Sequence, residues 1–256
     1  MLHFSKKRRR ERLRSTPLRA DWVRIIERNF PLYSHLTPAD QEELRGHIQV
    51  FLAEKRFEGC GGLEITDEIR VTIAAQACLL LLHRDADYYH GLTSILVYPS
   101  TYVAKTVMPG SLEITTDSTH PRLGEAWSHG TVVLSWDDVR RGAADIHDGH
   151  NVVLHEFAHV LDDETGAAEG APVLPRRSMY VAWARVLGRA YTELQRDTML
   201  GHPTVLDKYG ATNPAEFFAV ATEAFFEKPR QLRRKHPELY DELREFFQQD
   251  PETYVG

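Results

Sequence analysis

The chain has 256 residues, of which 42% are hydrophobic and 27% charged, with a formal net charge of −6. That length allows one large domain or two small ones, and the composition is that of a soluble globular protein. The acidic balance gives no sign of direct nucleic-acid binding. Two cysteines, Cys60 and Cys78, outside any Cys-x-x-Cys pair, argue against a disulfide framework and suit a reducing compartment.

The chain opens with a basic run, KKRRRERLR, followed by no apolar stretch or small-residue cleavage site, so a cytoplasmic protein is expected. Residues 1–15 read as a solvated basic tail, open to disorder, or a frayed helix start. Thr37 as N-cap and Pro38 behind it predict a helix over 36–57, with Leu44, Ile48, Phe51 and Leu52 on one face. GCGG at 59–62 breaks the chain, and Thr66 with Asp67 starts a second helix reaching His83. Its apolar run is too short for a membrane span and is bounded by Arg70 and Arg84.

Between 91 and 137 the composition turns β-branched and aromatic. SILVYPSTYV and GTVVLSW read as strands, and MPGS and SHG as turns. Next comes a helix over VVLHEFAHVLDDETG, 152–166, capped by Asp148 or Asn151 and stopped by Gly166. Further helices are expected over 178–197, over 214–229 between Pro214 and Pro229, and over 237–250. Helices, then a small sheet, then helices make an α+β fold. We expect a single domain over 16–256: helices in 16–90, the sheet and the histidine-bearing helix in 91–166, and a helical part in 167–256.

His155 and His159 stand at i and i+4, one above the other on a helix face, where two imidazoles can reach one tetrahedral ion. Glu156 is rotated off that row and can face a water on the metal without displacing it. Two ligands and a general base from one turn are what His-Glu-x-x-His offers. The strand GTVVLSW just upstream could pair with an extended peptide substrate. A third ligand is still required. Asp162 and Thr165 occupy the positions where metzincins have Gly and His, so that arrangement is excluded. Glu216 and Glu223, seven apart on an otherwise apolar helix, are the carboxylate candidates, because a charge among Phe217, Phe218, Phe225 and Phe226 is costly unless paired or bound to metal. Asp162 lies on the same face as His155, where it could orient an imidazole or be only a helix-end acid.

These motifs carry a resemblance. HEFAHVLDD and YGATNPAEFFA resemble the active-site segments of anthrax lethal factor, a zinc metallopeptidase. LSW, DGHNVVLHEFAH and PAEFFAVATEAFFEKP, in this order, resemble the Mlc titration factor A family from about residue 20 onward. The resemblance implies a zincin-like fold with zinc held by His155, His159 and Glu216, Glu156 as catalytic base, and Tyr209 as a group stabilising the oxyanion. It implies a cytoplasmic aminopeptidase acting on peptides and a partner, the glucose repressor Mlc, that links it to sugar phosphotransferase genes. The alternative is a mainly repressor-sequestering protein with weak peptidase activity. The toxin has a second glutamate where this chain has Val220, so a role for Glu223 does not carry over. A substrate-side acid meeting a peptide's free amine is one role open to it.

Overall fold

A computed structural model describes residues 2–85, 87–101, 130–164 and 169–254. The expected MPGS turn, most of the SHG turn, the tail of the strand at 102–103 and the helix stop at Gly166 lie outside them. Among the described residues there are ten α-helices and three strands. The α+β class holds.

The N-terminal third is a helical layer. α1 (Leu2–Arg14) is helical, as one of the two readings of this run allowed. The Arg10 guanidinium forks onto Glu54 at 2.8 and 2.9 Å, which fastens α1 along α3. α2 (Ala20–Asn29) leads into α3 (Pro38–Glu54), where Thr37 Oγ1 accepts the Asp40 amide as the cap. Leu44, Ile48 and Phe51 of α3 are wholly buried. The helix stops three residues short of the sequence expectation, and Arg56–Gly59 instead forms strand β1. α4 (Asp67–Leu79), capped by Thr66, is buried on nearly every side, and the chain leaves α-helical geometry after Leu79 rather than at His83.

β2 (Ser94–Tyr98) and β3 (Thr131–Ser135) complete a parallel sheet in the order β1-β2-β3, with Arg56 beside Ser94 and Ser94 beside Thr131. Parallel neighbours need a crossover, and α4 supplies the one between β1 and β2. Ile95, Val97, Val132 and Leu134 are wholly buried. Among the described residues β3 lies at the sheet edge.

Directly after β3, Ser135 caps α5 (Trp136–Ala144), a helix the sequence reading left within the β-rich stretch. α6 (Val152–Asp163) follows and packs on α8 (Pro214–Glu227). α7 (Met179–Met199), α9 (Pro229–Lys235) and α10 (Pro237–Phe247) close around them. Pro229 thus opens another helix as well as ending α8, since proline suits a first helical turn. Phe218, Phe225 and Phe226 of α8 join Phe246, Phe247 and Trp183 in an aromatic cluster that fixes α8 from behind. Phe157 of α6 meets Phe51 and Tyr89 at ring-centre distances of 5.7 and 4.8 Å, which ties the helical layer to the motif helix.

Candidate active site

The site is built where α6 lies against α8. Of the two cap candidates, Asn151 serves: its Oδ1 accepts the amides of Val153 and Leu154 at 3.1 and 3.0 Å. Its Nδ2 donates to the Gly142 carbonyl and to Glu227 Oε1, both at 3.1 Å. A side chain at Gly142 would meet the Asn151 Cα at 2.9 Å, so only glycine lets α5 pass this close to the start of α6. Asp148 instead accepts the His150 amide in the preceding loop.

His155 and His159 project from α6 toward the first turn of α8. His155 Nε2 lies 3.0 Å from Glu216 Oε2, His159 Nε2 lies 3.3 Å from the same oxygen, and the two Nε2 atoms are 3.2 Å apart. Glu216 is held there by Asn213, whose Oδ1 caps α8 through the Glu216 amide at 2.9 Å. Its carboxylate also lies in the first helical turn, where the macrodipole favours negative charge. Tetrahedral zinc with bonds of about 2.0–2.1 Å needs donor atoms about 3.3–3.4 Å apart. The three atoms form a triangle of nearly that size, and two imidazoles with one carboxylate are a donor set suited to zinc. The residues present fit such an ion.

The charges in the cluster are mutually dependent. Burial works against the Glu216 carboxylate, but bonding to His155 and His159 holds it well below the usual carboxylate range. Burial likewise opposes an imidazolium at His155, yet Glu223 and Glu216 hold its pKa well above the ordinary value. At His159 burial prevails and the pKa falls. Glu156 is buried and one of its oxygens, Oε2, has no hydrogen-bond partner among the described residues. Burial, with the nearby negative charges of Glu216 and Glu223, pushes its carboxyl up to about 8. Buried polar atoms are normally satisfied, so an orphaned carboxylate oxygen beside an imidazole pair marks a place where a ligand or water is expected.

Tyr209 sits in a 3-10 turn (Lys208–Ala211) capped by Asp207, with its ring 6.2 Å from that of His155. The structure therefore gathers His155, Glu156, His159, Tyr209 and Glu216. Glu223 goes elsewhere. It is only 2% exposed, and its two oxygens face His155 Nδ1 at 2.7 Å and the Asn151 amide at 2.5 Å. Both of its oxygens are thus engaged by α6 and its cap. Asp162 Oδ2 accepts the Gly170 amide at 2.7 Å. Sequence reasoning missed Asn151 as a hub and Glu227 as its neighbour. The only signal for Glu227 was a third acid on an apolar helix.

A family model described as glucose-regulated metallo-peptidase M90 matches residues 4–248. An uncharacterised Synechocystis protein, slr2042, is 39% identical over 244 residues, covering 95% of this chain and 89% of its own length. The Mlc titration factor A of Klebsiella pneumoniae strain 342 is 34% identical over 226 residues, covering 86% and 83%. That of Serratia proteamaculans is 34% identical over 224 residues, covering 86% and 84%. Nearly the whole chain is matched, and the family implies a divalent metal: the chain belongs to the glucose-regulated metallo-peptidase M90 family.

Proposed function

We propose that this metallopeptidase is a zinc-dependent aminopeptidase with His155, His159 and Glu216 as metal ligands. The observation that carries the reading is the convergence of His155 Nε2, His159 Nε2 and Glu216 Oε2 within 3.0–3.3 Å of one another, beside a Glu156 oxygen that has no partner among the described residues. Zinc bound there would supply Lewis acidity toward a water molecule and toward the peptide carbonyl.

The chain's own residues supply the rest. Glu156 takes a proton from the attacking water and returns it to the leaving amine. Tyr209 donates its phenolic proton in a hydrogen bond to the developing oxyanion. Burial of the site at His155, 3% exposed, and Glu156, 7% exposed, keeps competing water away from that proton transfer. The exopeptidase preference rests on the resemblance to the Mlc titration factor A family. So does a cytoplasmic location. No helix among the described residues is long and apolar enough to cross a membrane. We also read 16–256 as a single domain, a reading that one family model matching residues 4–248 favours.

The test is metal analysis of the purified protein together with hydrolysis of short aminoacyl-nitroanilides by wild type and Glu156→Gln. About one zinc per chain is expected in both proteins, with turnover in the variant reduced roughly 10²–10⁴-fold. Near-wild-type turnover in Glu156→Gln would remove Glu156 as the base. Metal-independent hydrolysis would remove the whole reading.

A second reading follows from the relatives' name, Mlc titration factor A. In it the chain binds and sequesters an Mlc-like repressor, and peptidase activity is secondary. Co-purification of such a repressor with both wild type and Glu156→Gln would support it. Absence of binding to a repressor from the same genome would dismiss it.

A further inference from the structure

We propose that Glu223 is a positioning residue for the metal site, holding His155 so that Nε2, and not Nδ1, is offered to the ion; this rests on the zinc-ligand reading above. Glu216 Oε2 stands 3.0 Å from Nε2 and Glu223 Oε1 stands 2.7 Å from Nδ1. The two glutamates are seven residues apart, which is two helical turns, so one face of α8 grips one imidazole from both sides. With Nε2 committed to the convergence point, Nδ1 carries the proton and donates it to Glu223. A carboxylate behind a ligating imidazole fixes its ring rotation and raises its basicity.

Glu223 does a second thing with its other oxygen. Oε2 accepts the backbone amide of Asn151 at 2.5 Å, and Asn151 is the cap of the helix that carries His155. The same carboxylate therefore sets both the start of α6 and the imidazole one turn further on. A buried charge in the middle of an aromatic helix is costly unless fully paired, and here both oxygens are used. Glu227, one turn along α8, reaches the same asparagine through Oε1 at 3.1 Å. Burial and the charge of Glu223 raise its carboxyl well above the usual range.

The test compares Glu223→Ala and Glu223→Gln with wild type and with Ile73→Ala. The last opens a cavity in α4 and serves as a control for lost stability alone. Two quantities are read: zinc affinity by competition with a chromophoric chelator, and the Nδ1 proton of His155 by NMR of metal-free, ¹⁵N-histidine-labelled protein. Wild type should show an exchange-protected, downfield Nδ1 proton. Glu223→Ala should lose it and bind zinc roughly 10–100-fold more weakly. Glu223→Gln should fall between, because its amide oxygen still accepts from Nδ1 while its NH₂ is set against the Asn151 amide. Ile73→Ala should keep both signals. Should Glu223→Ala not fold, Glu223→Gln decides. Wild-type zinc affinity and an unchanged Nδ1 proton in Glu223→Gln would overturn the proposal. If wild type bound no zinc, the metal reading would fail instead, and the NMR arm would still test the Glu223–His155 contact.

Discussion

α4 and α8 are helices of 13 and 14 residues, both buried along almost their entire length, and they differ in what they bury. The buried polar side chains of α4, Thr72 and Gln76, are neutral. Thr72 Oγ1 accepts Asn29 Nδ2 at 2.9 Å, and Gln76 Nε2 donates to the Thr72 carbonyl at 3.1 Å. α8 instead carries Glu216, Glu223 and Glu227, and each reaches across to α6 or its cap. A threonine in a core costs little once bonded, whereas a buried carboxylate demands dedicated partners. The difference separates a helix that supplies stability from one that spends stability on a site.

The sharpest way to break this contrast is to remove the acid of α8 that faces the metal. Glu216→Ala should lose zinc and abolish hydrolysis, as should His155→Ala and His159→Ala, while Glu223→Ala retains weakened binding. Metal content and nitroanilide turnover read both. Zinc stripped by Glu223→Ala but kept by Glu216→Ala would reverse the roles assigned to the two acids.

In α4 the expected loss is stability alone. Ile73 is wholly buried, and Ile73→Ala should cost about 2–5 kcal/mol by denaturant unfolding with no change in zinc affinity. A large fall in affinity would mean that the two helices are not separable in this way.

A smaller effect tests how α8 is seated. Gly170 has φ +76, and a Cβ there would lie 2.4 Å from the Pro214 carbonyl at the head of α8. Its amide donates to Asp162 at 2.7 Å and its carbonyl accepts from Trp183 Nε1 at 3.0 Å, so the loop cannot retreat. Gly170→Ala should destabilise by about 1–3 kcal/mol and also weaken zinc binding, because Pro214 begins the turn that presents Glu216. Lost stability with intact affinity would show the junction to be mere packing.

The smallest effect lies beyond α4. Burial opposes a charged His83, but donation to the Gln248 carbonyl at 2.8 Å and to Asp40 at 2.7 Å, with Glu43 nearby, raises its pKa. A raised folded-state value means the stabilisation is complete below the unfolded histidine value, about 6.5, and is lost as pH rises through the folded value. The side chain is 35% exposed, so solvent screening keeps this contribution small. Stability measured across neutral pH should fall less steeply in His83→Gln than in wild type. Equal slopes would remove His83 as the titrating group.

Local rules made part of this legible from sequence. Thr37 and Thr66 begin their helices as capping chemistry requires, and Pro214 starts α8. β1 was not legible, because four residues, Arg56–Gly59, are too few to show an alternating pattern. α5 was hidden because Trp136 continues a β-branched run before the acidic first turn, Asp137 and Asp138. α1 reads as a solvated run because its docking depends on Glu54, 44 residues away.

The pairing of His155 with His159 was determined by sequence alone, since a spacing of four on a helix places two side chains together whatever surrounds them. Glu156 followed from the same turn. Glu216 and Glu223 were equivalent by that logic: both acids, two turns apart, on one apolar helix. The family resemblance pointed to Glu216, but only tertiary structure gives each acid its atom, because the contacts span 61 and 68 residues and depend on how far α8 slides along α6. At the observed position Glu216 meets Nε2 from the helix end and Glu223 meets Nδ1 from the interior. Sequence spacing determines which residues share a face, and the packing of two helices decides which atom of an imidazole each of them meets.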